Sequence, residues 1–411
     1  MNVYPIMYWF SPSIMDEKAI KKIAGAGFTR IPVEGKDKDD NVRIIELCVD
    51  EGIEAIVADG RILEAIKNPA ERRELLTAVA TDYKNYENVK AYYITDEPSY
   101  GDFDALGEVC EILKKLDPGK EAYINLFPNY ANSTQLGTET YKEHIDLYVD
   151  TVKPAVISYD HYHFVGRDTA AENKGNGNES ERDRLIRESA WNTSERAGFF
   201  DNIEIIRNKS VETGIPFMVI ILVIEHGPYR NLSEAEIRWE VFNSLVYGSS
   251  RISYFTYGTP DFDYEWRYMN GMVNVNGEAM RHYYEVMRIN KDLQVVGSYL
   301  SGKRSTGVYH IGEEKDKLIK YFDPAGENKN MGNIADIRTT NGLSLGFFDS
   351  GEILIANKDY VSVNKIDITV ETTKRVSVME KSTGQWYKLE KTDNICTLTL
   401  MPGDGELIKI Q

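Results

Sequence analysis

The sequence predicts a (β/α)8 barrel followed by a small antiparallel β-sandwich. Residues 3–293 alternate short β-rich runs with amphipathic stretches, and this unit occurs eight times with a spacing of about 36 residues. After about residue 296, helical periodicity stops and short alternating runs follow, separated by turn residues at intervals of about 8–12. No GxGxxG motif follows the first strand, which disfavours a doubly wound open sheet. We therefore divide the chain into a barrel domain, residues 1–295, and a sandwich, residues 296–411.

The eight barrel units are read from hydrophobic periodicity. Their predicted strands are residues 3–10, 28–33, 54–58, 89–95, 121–127, 155–159, 216–224 and 251–257. The helices that follow them are residues 16–26, 40–51, 69–86, 102–116, 138–152, 200–213, 233–247 and 278–293. Ser233 with Glu236 forms a capping-box pattern that predicts the start of the seventh helix.

The terminal region contains nine β-rich runs and no helical pattern. They are residues 306–311, 317–321, 344–348, 353–357, 365–370, 375–380, 386–390, 395–400 and 406–410. Short strands at this regular spacing are typical of an antiparallel sandwich.

Composition excludes several classes of function. The 411 residues carry a net charge of −17, which repels phosphate backbones and anionic headgroups, so we expect no nucleic acid and no membrane partner. Residues 215–224, the longest apolar run, are too few to cross a bilayer. The three cysteines are far apart and predict neither a disulfide framework nor a zinc site. The N-terminus has no basic region or cleavage site, which suits either a cytoplasmic protein or a mature secreted or periplasmic chain.

Catalytic groups of such barrels lie at the carboxyl ends of the strands. Carboxylates dominate the polar residues predicted there, and no GxSxG elbow or phosphate-binding glycine loop accompanies them. In strand order these residues are Trp9; Arg30 and Glu34; Asp59; Asp96 and Glu97; Asn125 and Asn129; Tyr159, Asp160, His161 and His163; Glu225 and His226; and Tyr254, Tyr257 and Asp261, with Trp266 beyond.

Two of these positions carry the prediction of an enzyme. Asp96 and Glu97 end the fourth strand before Pro98, where the alternative is an acidic helix N-cap. Glu225 ends the most apolar strand, where the alternative is an ion pair with Arg30 or Arg251. Two carboxylates across a barrel mouth are the groups that hydrolyse glycosides, because one protonates the leaving oxygen and the other attacks or activates water.

This arrangement resembles the retaining (β/α)8 glycoside hydrolases of clan A. Members of that clan carry an acid/base residue after strand four and a nucleophile after strand seven, which the resemblance assigns to Glu97 and Glu225. The residue before the acid/base is usually Asn, and Asp96 takes its place here. The second charge should raise the pKa of Glu97. The segment SYDHY offers Asp160 as an alternative partner of Glu97.

A closer resemblance is to bacterial barrel proteins that are classed with glycosidases and carry a terminal sandwich. Segments that carry it are YPIMYW, ITDEPS, YINLFPNY, SYDHYHF, FFDNIEIIR, SEAEIRWEVFNSLVYGSSRISYFTY and MPGDGELIKI. This resemblance carries over no substrate. The glycosidase prediction as a whole implies a carbohydrate substrate, no cofactor and no metal, and it fixes neither the sugar nor the oligomeric state.

The other candidates are predicted to contact substrate. Asp96, Asn125, Tyr159, Asp160, Tyr254 and Arg30 could hydrogen-bond to sugar hydroxyls, and Trp9 and Trp266 could stack on sugar rings or form the barrel wall. His161 and His163 have a spacing compatible with metal, but sugar contacts or structural hydrogen bonds are better supported. Trp239, within a helix, is predicted to be packing.

The connection from His161 to Gly198 is unusually long, and we expect it to fold over the barrel mouth as one wall of the cleft. Two rival functions remain at this stage. One is a carbohydrate-binding barrel without catalysis, and the other is a metal-dependent hydrolase that uses Asp160, His161 and His163.

Overall fold

The computed structural model describes residues 3–166, 195–261, 264, 266–329 and 331–411. Eight parallel strands form an almost closed barrel in the order β1-β8-β7-β6-β5-β4-β3-β2, and the amide of Thr29 donates to Ile6 O (3.0 Å) where β1 and β2 meet. Ring closure removes sheet edges, as the predicted fold requires. The strands are β1 Ile6–Trp9, β2 Arg30–Val33, β3 Glu54–Ala58, β4 Val89–Asp96, β5 Glu121–Leu126, β6 Ile157–Asp160, β7 Phe217–Leu222 and β8 Arg251–Phe255.

Helices cover the outside of the barrel. They are α1 Glu17–Gly25, α2 Lys38–Asp50, α3 Gly60–Lys67, α4 Arg72–Tyr83, α5 Phe103–Leu116, α6 Ser133–Leu136, α7 Tyr141–Val152, α8 Phe199–Thr213, α9 Glu234–Val246 and α10 Arg281–Leu300. The predicted capping box of Ser233 and Glu236 opens α9. Two predicted helices, residues 69–86 and 138–152, each begin later than expected, and each is preceded by a separate short helix. No described helix is both long and apolar enough to cross a membrane.

Alternate strand residues point into the barrel. The interior cluster includes Met7, Ile56, Ala91, Tyr123 and Met218. Because side chains alternate along a strand, the intervening residues point outward against the helices. This alternation decides which of the predicted site residues can reach the interior.

The C-terminal region is antiparallel β, as predicted. One sheet has the order β15-β14-β18-β12-β11-β9 and the other β10-β13-β17-β16, and residues of both form a second apolar core. The predicted strand at residues 317–321 is wrong, and two strands, β10 and β16, were not predicted. The strands are β9 Ser305–Ile311, β10 Ile334–Thr339, β11 Leu343–Phe348, β12 Glu352–Asn357, β13 Asn364–Val370, β14 Val376–Met379, β15 Trp386–Lys388, β16 Lys391–Thr392, β17 Ile395–Leu400 and β18 Gly405–Ile410.

The sandwich packs on the side of the barrel through α9. Trp239 Nε1 donates to Lys358 O (3.0 Å), and a Cβ added to Gly346 of β11 would lie 2.1 Å from Val246 O. Trp239 is 3% exposed, so its predicted packing role is confirmed. Helix α10 runs through the predicted boundary at residues 295 and 296, and the change to strands comes between Leu300 and Ser305.

Candidate active site

A cavity of about 300 Å³ opens at the carboxyl ends of the barrel strands. Its walls combine carboxylates with many aromatic rings, as in sites that bind small polar ligands. The described residues that line it are Trp9, Asp96, Glu97, Asn125, Phe127, Pro128, Tyr130, Ala131, Gln135, Asp160, Tyr162, Ile220, His226, Tyr229, Phe255, Trp266 and Tyr268.

Three carboxyl groups meet in this cavity. Asp96 ends β4, and Glu97 follows it with a left-handed backbone (φ 44°) that its amide fixes by donating to Asn125 O (2.9 Å). Asp160 ends β6 and is 6% exposed. The side chain of Asn125 lies between them, since its Nδ2 is 3.1 Å from Asp96 Oδ1 and 2.9 Å from Asp160 Oδ1.

A chain of hydrogen bonds below the carboxylates orients Asn125. Ser158 Oγ donates to Asn125 Oδ1 (2.9 Å), and the Tyr123 hydroxyl lies 3.2 Å from Ser158 Oγ. The Oδ1 atom therefore accepts a bond, and the Nδ2 group is free to face the two aspartates. Asn125 and Asp160 lie two residues beyond Tyr123 and Ser158 on their strands, so all four side chains face the interior.

The carboxyl groups have raised pKa values. Burial and the charge of Asp96 raise the pKa of Glu97 to about 7. Burial, together with the charges of Glu97 and Asp96, raises the pKa of Asp160 well above its usual range, while the hydrogen bond from Asn125 opposes this change. Desolvation also raises the pKa of Asp96, and the hydrogen bond from Asn125 opposes this change. With a pKa of about 7, Glu97 is partly protonated at neutral pH.

Glu225 does not belong to the described lining of this cavity. Its backbone pairs with Met269, its Oε2 accepts from Asn270 Nδ2 (2.7 Å), and its side chain is half-buried. His226, the next residue, lines the cavity instead. The alternative ion pair of Glu225 with Arg30 or Arg251 does not form.

Arg30 lies at the opposite end of the barrel from the cavity. It is the first residue of β2, where it pairs with Glu54 (2.7 Å) and Glu121 (3.5 Å), and Arg251 also pairs with Glu121. The expectation that Arg30 contacts substrate is therefore wrong. An arginine at the start of a strand forms ion pairs with carboxylates at the starts of other strands. Its side chain does not reach the carboxyl ends of the strands, where the cavity lies.

Tyr159 and Tyr254 point outward, contrary to the sequence-based expectation. Tyr159 is fully buried in the core beneath the helices, and the Tyr254 hydroxyl donates to Asn290 Oδ1 of α10 (2.8 Å). Each has the opposite orientation to an inward neighbour on its own strand, Asp160 for Tyr159 and Phe255 for Tyr254. The alternation of side chains along a strand explains both corrections.

His161 and His163 lie behind the cavity wall rather than in it. His161 Nδ1 is 3.1 Å from Asn202 Oδ1, and the His163 ring stacks on Trp239 with a centroid distance of 4.7 Å. Burial lowers the pKa of both imidazoles, to about 3 for His161. The expected sugar contacts of these two residues are therefore wrong, and they are packing groups. Within the described ranges, no group of His, Cys, Asp and Glu has a metal-binding arrangement.

Aromatic residues form the upper walls. Trp9 and Trp266 both line the cavity, as expected, and Trp266 is 42% exposed. Sequence reasoning missed Tyr130, Tyr162 and Tyr229, along with the other aromatic wall residues Phe127, Phe255 and Tyr268. The position of Tyr162, two residues after inward-facing Asp160, was the available signal for one of them.

His226 is a neutral wall residue at neutral pH. Its Nδ1 lies 3.1 Å from Ile224 O, which can only accept, so Nδ1 carries the proton. Burial lowers the pKa of His226 to about 4. The ring also contacts Tyr229 and Tyr268, which fixes it in the wall.

Only the two ends of the long connection after β6 lie within the described residues. The bridges Phe164–Glu195 and Val165–Tyr229 hold these ends, and the Arg196 guanidinium lies 3.8 Å from the centre of the Tyr130 ring. The expected cleft wall falls mainly on residues 167–194, which lie outside the described residues.

Solved structures that are similar to this chain include glycoside hydrolases. The chain aligns over its whole length with 92% of a glycoside hydrolase (TM-score 0.58, 8% identity) and with 89% of a family 5 glycoside hydrolase from Bacteroides vulgatus (TM-score 0.57, 10% identity). Its fold is shared with glycoside hydrolases. The predicted resemblance is confirmed at this level, and identities this low show the fold alone.

Some similar structures are longer than this chain. A β-galactosidase from Rahnella sp. R3 aligns with 74% of the chain (TM-score 0.51, 12% identity), which covers 57% of that enzyme. The chain spans about 60% of the length of the β-galactosidases it resembles. No family model and no curated protein matches the sequence.

Proposed function

We propose that the protein is a glycoside hydrolase in which Glu97 is the proton donor and Asp160 the ionised carboxylate. The observation that carries this proposal is the unequal environment of the carboxyl groups. Asn125 Nδ2 donates to Asp96 and Asp160, whereas no hydrogen bond from a described residue reaches the Glu97 carboxyl. Donated hydrogen bonds favour the charged form, so we place the proton on Glu97 and the charge on Asp160, against the burial that raises the pKa of Asp160.

The two roles follow from this proton distribution. Protonated Glu97 transfers its proton to the glycosidic oxygen as the bond to the anomeric carbon breaks, and ionised Asp160 attacks that carbon. Water then hydrolyses the glycosyl ester, with Glu97 as the base that takes up the water proton. We propose net retention, which requires a carboxyl separation of about 5–5.5 Å in the substrate complex.

Asp96 would bind substrate rather than react with it. It is the most exposed of the three carboxyl groups and faces the same cavity. A carboxylate can accept hydrogen bonds from sugar hydroxyls, which would hold the ring against Glu97. Trp9 and Trp266 would provide apolar faces for the ring.

The experiment compares three variants on a panel of aryl glycosides and oligosaccharides. Glu97→Gln and Asp160→Asn should each lower turnover by about 10²-fold or more, and the matched control Glu225→Gln should retain most activity. Added azide should convert the Asp160→Asn reaction to a glycosyl azide of inverted configuration, because the anion replaces the missing nucleophile. The Glu97→Gln variant should give the azide product with retained configuration.

Glu225 as the nucleophile is the sequence-based alternative. In that case Glu225→Gln, and not Asp160→Asn, would lose activity and give the inverted azide product. If Asp160→Asn and Glu225→Gln lost activity equally, and azide restored neither of them, the retaining mechanism would be contradicted.

A carbohydrate-binding barrel without catalysis is the second candidate function. It is favoured by one observation, the burial of Asp160 that raises its pKa, because a protonated carboxyl group cannot act as the nucleophile. Binding of a sugar by calorimetry, with no released product from any glycoside of the panel, would support this candidate and reject the enzyme.

A further inference from the structure

The N-terminus of α8 is capped by a residue of the sandwich. Gly198 is the N-cap and has no side chain to supply, with φ of 93°. Asp316, in the loop after β9, fills this role, since its carboxylate accepts from the amides of Gly198 (2.6 Å), Phe200 (2.6 Å) and Asp201 (3.2 Å). A carboxylate at this position satisfies unpaired amides and interacts favourably with the helix dipole.

The contact is reciprocal. Asp201, in the first turn of α8, accepts from the amides of Lys317 (2.7 Å) and Leu318 (2.6 Å) in the sandwich loop. Each side therefore supplies one carboxylate to backbone amides of the other. We call this pair of contacts, made by Asp316 and Asp201, the clasp.

The first turn of α8 also contacts the residues beside the cavity. Asn202 Oδ1 accepts from the amide of Asn129 (2.8 Å) and lies 3.1 Å from His161 Nδ1, while Asn202 Nδ2 donates to the Tyr141 hydroxyl (3.0 Å). Because Asn202 Oδ1 can only accept, His161 must carry its proton on Nδ1. Asn129 Nδ2 donates to Gly198 O (2.9 Å), which joins the same loop to the N-cap.

Two of the three partners of Asn202, His161 and Asn129, are next to cavity residues in the chain. His161 follows Asp160, and Asn129 precedes Tyr130, whose ring lies 5.2 Å from the His161 ring. The side chain of Asn202 is completely buried, as is that of His161. A shift of the first turn of α8 therefore cannot be absorbed by solvent, and it displaces the backbone that carries Asp160 and Tyr130.

We infer that Asp316 is a positioning residue for the cavity: by capping α8 it holds Asn202 against His161 and Asn129, and so fixes Asp160 and Tyr130. The sandwich thereby sets the geometry of a site in which none of its described residues takes part. The effect on turnover rests on the proposed glycosidase function, whereas the structural coupling does not.

The experiment uses the full chain with Asp316→Ala and reads out hydrogen exchange and kinetics separately. We expect faster exchange of the Phe200 and Asp201 amides, and also of the Asn129 amide, which Asp316 does not touch. The ring ¹⁵N signals of His161 should no longer be those of a single Nδ1–H tautomer. The turnover number should fall about tenfold to a hundredfold with a smaller change in KM, because misplacement of a reacting group acts mainly on the transition state.

Two further variants separate positioning from general loss of stability. Asp323→Ala is the matched control, since Asp323 accepts from the amides of Ala325 (3.2 Å) and Gly326 (3.0 Å) within the sandwich loop that contains it. It should leave Asn129 exchange and turnover unchanged. Asp316→Asn keeps one acceptor oxygen. Its Asn129 exchange and its turnover number should therefore lie between those of Asp316→Ala and the wild type.

Two results would overturn the inference. In the first, the Asn129 amide and the His161 spectrum are unchanged in Asp316→Ala although the helix end exchanges faster. In the second, both change and the turnover number stays at the wild-type value. If the wild-type chain hydrolyses no glycoside, the proposed function fails, and the exchange data still test the coupling.

Discussion

Asn125 Nδ2 lies 2.9 Å from Asp160 Oδ1 in the floor of the cavity. This one contact opposes the burial that raises the pKa of Asp160. In the proposed mechanism it keeps Asp160 ionised while Glu97 holds the proton. In that mechanism the contact sets the lower pH limit of activity.

Asn125→Ala should shift the acid limb of the kcat/KM profile to higher pH. A hydrogen bond to a charged group contributes about 1.5–3 kcal/mol, which corresponds to a shift of about one pH unit or more. The direction follows because removal of the donor raises the pKa of Asp160, so its ionised form is lost sooner as the pH falls. Steady-state kinetics between pH 4 and 9 measure the limb.

Ser158→Ala is the control for this prediction, since it removes the donor to Asn125 Oδ1 and leaves both Nδ2 contacts. The acid limb of Ser158→Ala should shift to higher pH by less than that of Asn125→Ala. An acid limb at the wild-type pH in Asn125→Ala would show that Asn125 does not set the ionisation of Asp160.

The basic limb of activity should lie near pH 7 and depend on Glu97. Its pKa is raised to about 7, so the protonated acid is present below that pH and is lost as the pH rises. An activated aryl leaving group departs without a proton. With such a substrate, the burst that reports the first step, formation of the glycosyl-enzyme, should have no basic limb in Glu97→Gln. The same variant should lose about 10²-fold or more in turnover with an alkyl leaving group, which needs a proton. Persistence of the limb in Glu97→Gln would assign it to another residue.

The cavity should discriminate against acidic sugars. Its described lining has three carboxyl groups and neither Lys nor Arg. For whichever sugar the panel identifies, the corresponding uronide should have a kcat/KM lower by about tenfold or more, because like charges in a desolvated site repel. Asp96→Asn should narrow this difference. A uronide that is hydrolysed faster than its neutral analogue would contradict the prediction.

Gly346→Ala should destabilise the contact of the sandwich with the barrel. The new Cβ would lie 2.1 Å from Val246 O at the end of α9, and backbone cannot move aside at low cost. We expect a loss of about 1–3 kcal/mol in the free energy of unfolding by urea titration. Gly119→Ala is the control, since nothing lies within 4 Å of its added Cβ. Equal unfolding midpoints for the two variants would show that this contact is not tightly packed.

The barrel and the strand end that carries Asp96 and Glu97 were predictable because their signals are local. Strand and helix periods placed all eight units, and the motif of Asp96 and Glu97 marked one strand end correctly. The alternation of side chains along a strand also predicts which strand residues face the barrel interior. Asp160 and Tyr159 are neighbours on one strand, so only one of them can face the interior, and the sequence-based selection included both.

Contacts between distant parts of the chain carried no such signal. The cap of α8 comes from Asp316, more than 100 residues after Gly198 in the sequence. Nothing in the periodicity near Gly198 indicates which carboxylate satisfies those amides. Similarly, Arg30 was assigned to the wrong end of its strand because a boundary error of a few residues exchanges the two ends of a short strand.

Helix α9 has ten buried residues out of 13, because the barrel covers one face and the sandwich another. Trp239, Phe242 and Val246 lie where the sandwich makes its contacts. Expression of residues 3–300 alone would therefore expose an apolar stripe to water and favour aggregation. The two modules cannot be exchanged freely during evolution. A related barrel that lost its sandwich would need polar residues at these three positions, which makes them a marker of domain loss in any homologous sequence.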